Sequence, residues 1–458
     1  MPDNLFNQLQ EMRRFYSSGA TKTYAFRLEQ LKALRKLIKA HEKDLYHALF
    51  QDLKKSPEES WVTETGFLLQ EINYAIKNLN RWMQPEKVGT NLLNFPSTSF
   101  ILREPLGVVM IIGPWNYPLQ LLFAPLVGAM AAGNCAVVKF SEFAPATAKV
   151  MKEIIQNFSG SYILPVEGDG AEVIPLMMNH FKFDHVFFTG STGVGKMVYK
   201  MAAEQLTPVT LELGGKSPCI VEDDANIKIA ARRIALTKFS NAGQMCVAPD
   251  YVIVNEKVKE KFLEEIKNAI RKFFSDQPAT NDNYGKIINQ KQFDRLVSYL
   301  REGKIIFGGE SDRAQLFIQP TIIESPPLDS SLMKEEIFGP LLPVLSFKSF
   351  EEAKLIIDKN PKPLAFYVYT SSAKKEKQWL DAVSSGGACI NNSSWHLTNC
   401  QLPFGGVGSS GMGEYHGRYS FETFSNRKSV MKTPTWFDPS IKYPPFKGKL
   451  NLFKKVIG

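Results

Sequence analysis

The stretch Ser240–Asp250 reads Ser-Asn-Ala-Gly-Gln-Met-Cys-Val-Ala-Pro-Asp and sets Cys246 among small and polar residues. A thiolate is a strong nucleophile, and a loop between regular elements is where such a group meets a substrate. Taken alone, Cys246 suits a small apolar packing residue better than a nucleophile. Glu212-Leu-Gly-Gly-Lys216 closes an apolar run with a carboxylate and two glycines. Glu212 there fits a general base or a plain strand-end turn. Gly113-Pro-Trp-Asn-Tyr-Pro118 places the Asn116 amide after another apolar run, where it can stabilise an oxyanion or simply form a turn.

Two further stretches suit a nucleotide. Phe188-Thr-Gly-Ser-Thr-Gly-Val-Gly-Lys196 follows an apolar strand and opens a helix, so backbone amides there can meet phosphate. Its spacing is neither the dinucleotide glycine fingerprint nor a Walker A sequence, and a glycine-rich turn between strand and helix explains it as well. Lys139-Phe-Ser-Glu142 offers an ammonium and a carboxylate to the hydroxyls of a ribose, or a solvated turn. Glu335-Glu-Ile-Phe-Gly-Pro340 reads as a turn before a buried strand.

Elements that must carry these residues follow from the hydrophobic pattern. Residues 4–86 are helical, with Leu28, Leu31, Leu34, Leu37 and Ile38 at helical steps, and nothing in them is expected to carry chemistry. From Pro105 to Val138 there is no Asp, Glu, Lys or Arg. Such a run can cross a membrane, but Gly107, Gly113, Pro114, Asn116, Pro118, Pro125, Gly133 and Asn134 interrupt it. It reads as strand 106–112, helix 119–131 and strand 135–139, buried on both faces of a parallel sheet. Alternating strands and helices continue to about residue 391, which implies doubly wound α/β architecture with ligands at the carboxyl ends of the strands. A second α/β pattern begins at Val209. Val88–Phe95 and Thr98–Arg103 read as a two-stranded ribbon, whose exposed edges call for a partner. From Met431 the proline-bearing tail is expected to be extended.

Size and composition set the outer bounds. A chain of 458 residues has room for two or three domains, and 44% hydrophobic with 22% charged residues is a globular balance. The net charge of +9 is scattered, without a basic stripe interleaved with aromatics, so nucleic acid is not an expected partner. Five cysteines at wide spacing, with no Cys-x-x-Cys pair, suit a reducing, cytoplasmic compartment and argue against disulfides or a metal site. The N-terminus lacks the apolar core of a secretion signal, and no integral membrane segment is expected.

Together the motifs resemble the aldehyde dehydrogenase superfamily. Pro114-Trp-Asn116, Lys139-Phe-Ser-Glu142, Phe188-Thr-Gly-Ser191, Glu212-Leu-Gly-Gly215, Gly243-Gln-Met-Cys246, Glu336-Ile-Phe-Gly-Pro340 and Pro403-Phe-Gly-Gly406 occur in that family's order. Gly243–Tyr251 and Gly411-Met-Gly-Glu-Tyr-His-Gly417 resemble its class 3-like branch. Phe140 stands where members often have proline, and the hydrophobic tail of membrane-bound fatty-aldehyde members has no counterpart before Gly458.

The resemblance implies an aldehyde dehydrogenase-like α/β fold with three parts: a Rossmann-type NAD(P)-binding domain (1–84 and 105–208), a catalytic domain (209–395), and a ribbon, glycine-rich loop and tail for oligomerisation (85–104 and 396–458). It implies oxidation of a medium- or long-chain aliphatic or aromatic aldehyde, with NAD or NADP, by a homodimer. Cys246 would be the nucleophile, Glu212 the water-activating base and Asn116 the oxyanion donor with the Cys246 amide. Lys139 and Glu142 would meet the adenosine ribose, Gly190 and Ser191 the pyrophosphate, Glu336 the nicotinamide ribose and Phe338 the ring. Tyr117 and Phe404 would shape the substrate mouth. A CoA-acylating relative is the nearest rival, and a water-activating Glu212 argues against it. A silent binding protein and a cysteine hydrolase are more distant, the latter because no motif places a histidine.

Overall fold

In the computed structural model, which describes residues 2–457, the uncharged run becomes strand Val108–Ile112, helix Gln120–Ala132 and strand Cys135–Lys139, every residue of them buried. The strands sit side by side in parallel, Val108 opposite Cys135, in the middle of a six-stranded sheet. Burial on both faces is why these strands show no polar alternation. No helix among the described residues is long and apolar enough to cross a membrane.

That sheet runs in the order Gly411–Met412, Val209–Leu213, His185–Gly190, Val108–Ile112, Cys135–Lys139, Ile163–Val166, all parallel except the first. Val209–Leu213 pairs in parallel with His185–Gly190, Glu212 opposite Thr189. The second α/β unit therefore does not start at Val209, as the pattern suggested. The chain changes sheets between Leu213 and Pro218, across the two glycines. A pattern of strands and helices alone cannot tell which sheet a strand joins, because both sheets present buried parallel strands.

The second sheet has seven strands: Lys304–Phe307, Thr321–Glu324, Leu341–Phe347, Tyr251–Asn255, Pro218–Val221, Ala365–Tyr369 and Gly387–Ile390. Only the Lys304–Phe307 edge is antiparallel. One apolar core joins the N-terminal helices, both sheets and the layer between them, and a smaller cluster around the buried Trp379 covers the outer face of the second sheet.

The ribbon differs from its sequence reading. Its first strand is only Glu86–Val88, and Thr98–Pro105 pairs along its whole length with Ser425–Lys432 of the same chain. Ser425–Lys432 thus completes a three-stranded sheet within the chain and forms one of its edges. The tail is not wholly extended, since Leu450–Ile457 is a helix. The helical stretch from Pro57 is split into Pro57–Ser60, a single π turn at Trp61–Thr65, and Gly66–Met83. Such turns recur at functional sites because they re-aim side chains within a helix.

Candidate active site

Four of the chemistry-bearing stretches leave the six-stranded sheet at one edge. Asn116 lies just past Val108–Ile112, Lys139 ends its strand, Gly190 ends His185–Gly190, and Glu212 is one residue from the end of Val209–Leu213. The crevice beyond the carboxyl ends of parallel strands is where such sheets bind ligands.

Cys246 reaches this crevice from the facing layer. Helix Ile227–Phe239 ends there, and Asn241, Ala242 and Gly243 take left-handed backbone angles (φ 49°, 49° and 74°). A Cβ on Gly243 would lie 2.3 Å from the Gly339 carbonyl, so glycine is required by both conformation and space. The turn is fixed from within: Gln244 Nε2 donates to the carbonyls of Asn241 (3.0 Å) and Lys286 (2.9 Å), and its Oε1 accepts from the Ile288 amide (3.0 Å). Across the seam Asn116 Nδ2 donates to the Gln244 carbonyl at 3.1 Å, which ties the amide to the cysteine loop.

Two cavities meet at Cys246. One, of about 560 Å³, is walled by Trp61, Val62, Phe67, Tyr117, Leu236 and Leu397, among others. The other, of about 550 Å³, contains Asn116, Gly190, Ser191, Glu212, Glu336 and Phe338. Leu121, Cys246, Phe404 and Tyr415 belong to both. The cysteine therefore stands in the partition, reachable from a largely apolar side and from a side rich in carboxylates and helix-end amides.

Electrostatics in the second cavity are unusual. Both carboxylate oxygens of Glu212 are buried without a hydrogen-bond partner, and so is Oε1 of Glu336. Burial, reinforced by the nearby Glu414, pushes the Glu212 carboxyl well above the ordinary range. Burial and then Asp250 push Glu336 up to about 8. The Cys246 thiol is raised too, by desolvation first and then by Glu336 and Glu212, while the amides of Cys246 and Val247 act to lower it. Native proteins pair most buried polar groups, so unpaired carboxylates facing a cleft mark a place where a ligand or water supplies the partner.

The cofactor-side residues fit a dinucleotide. Helix Thr192–Glu204 starts at the crevice with Ser191 as its cap, its side chain accepting from Val194, and nothing lies within 4 Å of a Cβ built on Gly193. That leaves helix-end amides open to an anion. A Cβ on Gly214 would fall 1.8 Å from Glu336 Oε2, so this glycine makes room for the Glu336 carboxylate. Glu336 is held from behind: Arg295 donates to its carbonyl (3.2 Å) and to that of Ile337 (2.8 Å), and Lys216 bonds Asp250 and the Glu335 carbonyl. Phe338 sits at φ 47°, a rare conformation for an aromatic residue, and meets Trp115 edge-on at 5.2 Å.

Lys139 and Glu142 stand apart from the rest. They bond to each other at 2.6 Å, Glu142 also accepts from the Gly170 amide at 3.2 Å, and neither lines the cavity around Glu336. The structure brings together Cys246, Glu212, Asn116, Gly190, Ser191, Glu336, Phe338 and Phe404, with Tyr117 on the apolar side.

Several wall residues escaped the sequence reading. Trp61, Val62, Phe67 and Gln70 come from the N-terminal helices, where no chemistry was expected. Tyr415 was quoted only inside a longer motif, yet it is shared by both cavities and stacks on His416 at 4.1 Å. Helical leucine stripes drew attention to the inward face; the signal for these residues was the exposed-looking Trp61-Val62 pair on the other one.

The Aldehyde dehydrogenase family model matches residues 9–430. A 4,4'-diaponeurosporen-aldehyde dehydrogenase of Staphylococcus aureus (strain NCTC 8325 / PS 47) is 45% identical over 447 residues, 97% of each chain. Aldehyde dehydrogenase family 3 member B3 of Mus musculus is 44% identical over 446 residues, 97% of this chain and 93% of its own. The substrate-bound state of Staphylococcus aureus AldH superposes with a TM-score of 0.96 at 44% identity, covering 99% of both chains. The P. syringae indole-3-acetaldehyde dehydrogenase AldA, solved with NAD+ and IAA, gives 0.85 at 26% identity over 94% of this chain and 89% of its own. The chain belongs to the aldehyde dehydrogenase family, in its class 3-like branch. It is an oxidoreductase of the aldehyde dehydrogenase kind.

Proposed function

We propose that this protein oxidises an apolar aldehyde, aliphatic of medium or long chain or aromatic, to its carboxylic acid with NAD or NADP. The observation that carries this reading is the position of Cys246 in the partition between an apolar cavity and a carboxylate-bearing one. The Cys246 Sγ forms a bond to the aldehyde carbonyl carbon as its proton passes to solvent, which leaves Glu212, the unpaired carboxylate in the same cavity, for the later step. The carbonyl oxygen becomes an oxyanion stabilised by the Asn116 amide and the Cys246 backbone N–H. NAD or NADP, when bound, supplies the two-electron acceptor that turns the adduct into a thioester. Glu212 then takes a proton from water, the hydroxyl adds to the thioester carbonyl, and the C–S bond breaks to release acid and thiolate.

On the cofactor side, Gly190, Ser191 and the start of helix Thr192–Glu204 would receive the pyrophosphate, Glu336 a ribose, and Phe338 the ring. Lys139 and Glu142 would serve the adenosine ribose only by opening their mutual bond. Glu142 disfavours a 2′-phosphate and Lys139 attracts one, so NAD and NADP are both admitted. Aromatic and aliphatic walls support an apolar substrate, and one relative is named 4,4'-diaponeurosporen-aldehyde dehydrogenase. The exposed edge strand Ser425–Lys432, with Leu92, Phe95 and Met431 exposed nearby in the ribbon, supports a homodimer. Five free thiols support a reducing, cytoplasmic setting.

The test follows absorbance of reduced cofactor with both NAD and NADP over an aldehyde chain-length series, without CoA. Turnover that Cys246→Ala abolishes is the expected result, and no signal across the series would remove this reading. A monomeric mass in solution would count against the dimer.

A further inference from the structure

Beneath Asn116 lies an ion pair with no solvent exposure on either side chain. Lys55 Nζ is 2.7 Å from Glu64 Oε1. Each partner makes a second bond to the same short segment of another element: Lys55 Nζ donates to the Asn116 carbonyl at 2.9 Å, and Glu64 Oε2 accepts from the Gln120 amide at 2.9 Å. The Lys55 ammonium also sits 3.8 Å from the centre of the Tyr117 ring. The pair thus grips the turn Asn116–Gln120 at both ends. The π turn at Trp61–Thr65 makes this reach work, since it points Glu64 inward while Trp61, Val62 and Thr63 face the apolar cavity.

A second bond set locks the same turn to the cysteine loop. Asn241 Nδ2 donates to the Asn116 carbonyl (2.9 Å) and to the Gln244 carbonyl (3.2 Å), and the Asn241 amide donates to Glu59 at 2.8 Å. The Asn116 carbonyl is therefore shared by a cation from the N-terminal helices and an amide from the loop that bears Cys246. Burying two charges is costly, and apolar residues of similar volume often serve a core at least as well. What they cannot supply is the pair of bonds to the turn.

We propose that Lys55 and Glu64 are positioning residues for the reaction: by clamping Asn116–Gln120 they aim the Asn116 amide at the carbonyl oxygen held over Cys246. The proposal rests on the oxyanion role assigned to Asn116 above. It makes the N-terminal helices part of the catalytic frame.

The test compares steady-state kinetics of Lys55→Met/Glu64→Leu, Asn116→Ala and the triple variant with wild type. The paired replacement removes both charges together, so it is expected to fold with its melting temperature near that of wild type. We expect kcat to fall roughly ten- to a hundredfold, the scale of a misplacement of about 1 Å at a reacting centre, with the KM for cofactor unchanged. The triple variant should be no slower than Asn116→Ala, because the pair acts through that amide. Wild-type kcat in the paired variant, or losses that multiply in the triple variant, would overturn the proposal while Asn116 stands. If Asn116→Ala itself keeps wild-type kcat, the oxyanion reading falls and takes the proposal with it. Should the paired variant not fold, Glu64→Gln keeps the shape and weakens the clamp, and its kcat must still drop with cofactor KM unchanged; wild-type kcat there also overturns the proposal.

Discussion

Glu64 and Glu212 are both buried carboxylates beside the Cys246 site, and they are treated in opposite ways. Glu64, in the floor under Asn116, has a partner on each oxygen, one a lysine and one a backbone amide. Glu212, in the wall of the cofactor-side cavity, has none on either. A buried polar group left unpaired costs about 1–3 kcal/mol, and more for a charge. The floor avoids that cost and the wall accepts it. Satisfied polar groups hold a frame in one geometry, while unsatisfied ones keep capacity for a proton, a water or a ligand. Glu336 belongs with the wall, since its Oε1 is also free.

The largest effect expected from breaking this contrast is at Glu212. Glu212→Gln keeps the shape and removes the proposed base, so turnover should fall by about 10²–10⁴-fold with no loss of melting temperature. One equivalent of reduced cofactor should still form in a rapid phase, because the thioester accumulates; full turnover in this variant would move the base elsewhere. The floor should answer in stability instead. Lys55→Met alone strands the Glu64 charge and should destabilise the fold by about 3–5 kcal/mol, measurable by denaturant unfolding, whereas the paired replacement should not. Equal stability of the single and paired variants would erase the distinction between floor and wall.

Gly214→Ala sharpens the comparison from the cofactor side. Its Cβ would lie 1.8 Å from Glu336 Oε2. The end of that side chain can move, so folding should be nearly unaffected, while the carboxylate leaves its place. Loss of one charged hydrogen bond, about 1.5–3 kcal/mol, predicts a rise in cofactor KM of roughly ten- to a hundredfold.

The smallest effect is a pH dependence. Glu336 is held at about 8 in the fold against an ordinary value of 4.5. The native state therefore binds a proton that the unfolded chain has released across that window, and this contribution to stability is full below 4.5 and lost as pH rises through about 8. Glu336→Gln should match wild type at pH 4.5 and exceed it at pH 8.5 by on the order of 1 kcal/mol, discounted for the partial exposure of this residue. Thermal melts across pH check it, and a constant difference would assign the shift to another group.

Much of the site was legible because its residues travel in short motifs. Cys246 among small residues, Glu212 before two glycines and Ser191 ahead of a helix each carry a local reason that survives without the fold. Lys139 and Glu142 were legible as a pair at a strand end, but not as a closed pair outside the cavity. The Val209–Leu213 strand was legible as a strand and not by its sheet, because strand pairing depends on partners far away in the chain. Trp61 and Val62 were hidden because a π turn shifts which face of a helix points inward, and helical periodicity assumes no such shift.

By itself the sequence determined the alternating α/β order, the strand ends and the residue types that can perform aldehyde oxidation, since these depend on neighbours within a few positions. Only the tertiary structure decided which carboxylates have partners. Lys55 meets Asn116 across 61 positions, and Asn116 meets Gln244 across 128. Whether a buried charge is frame or reagent depends on who fills its hydrogen bonds, and those partners come from chain segments that only folding brings together.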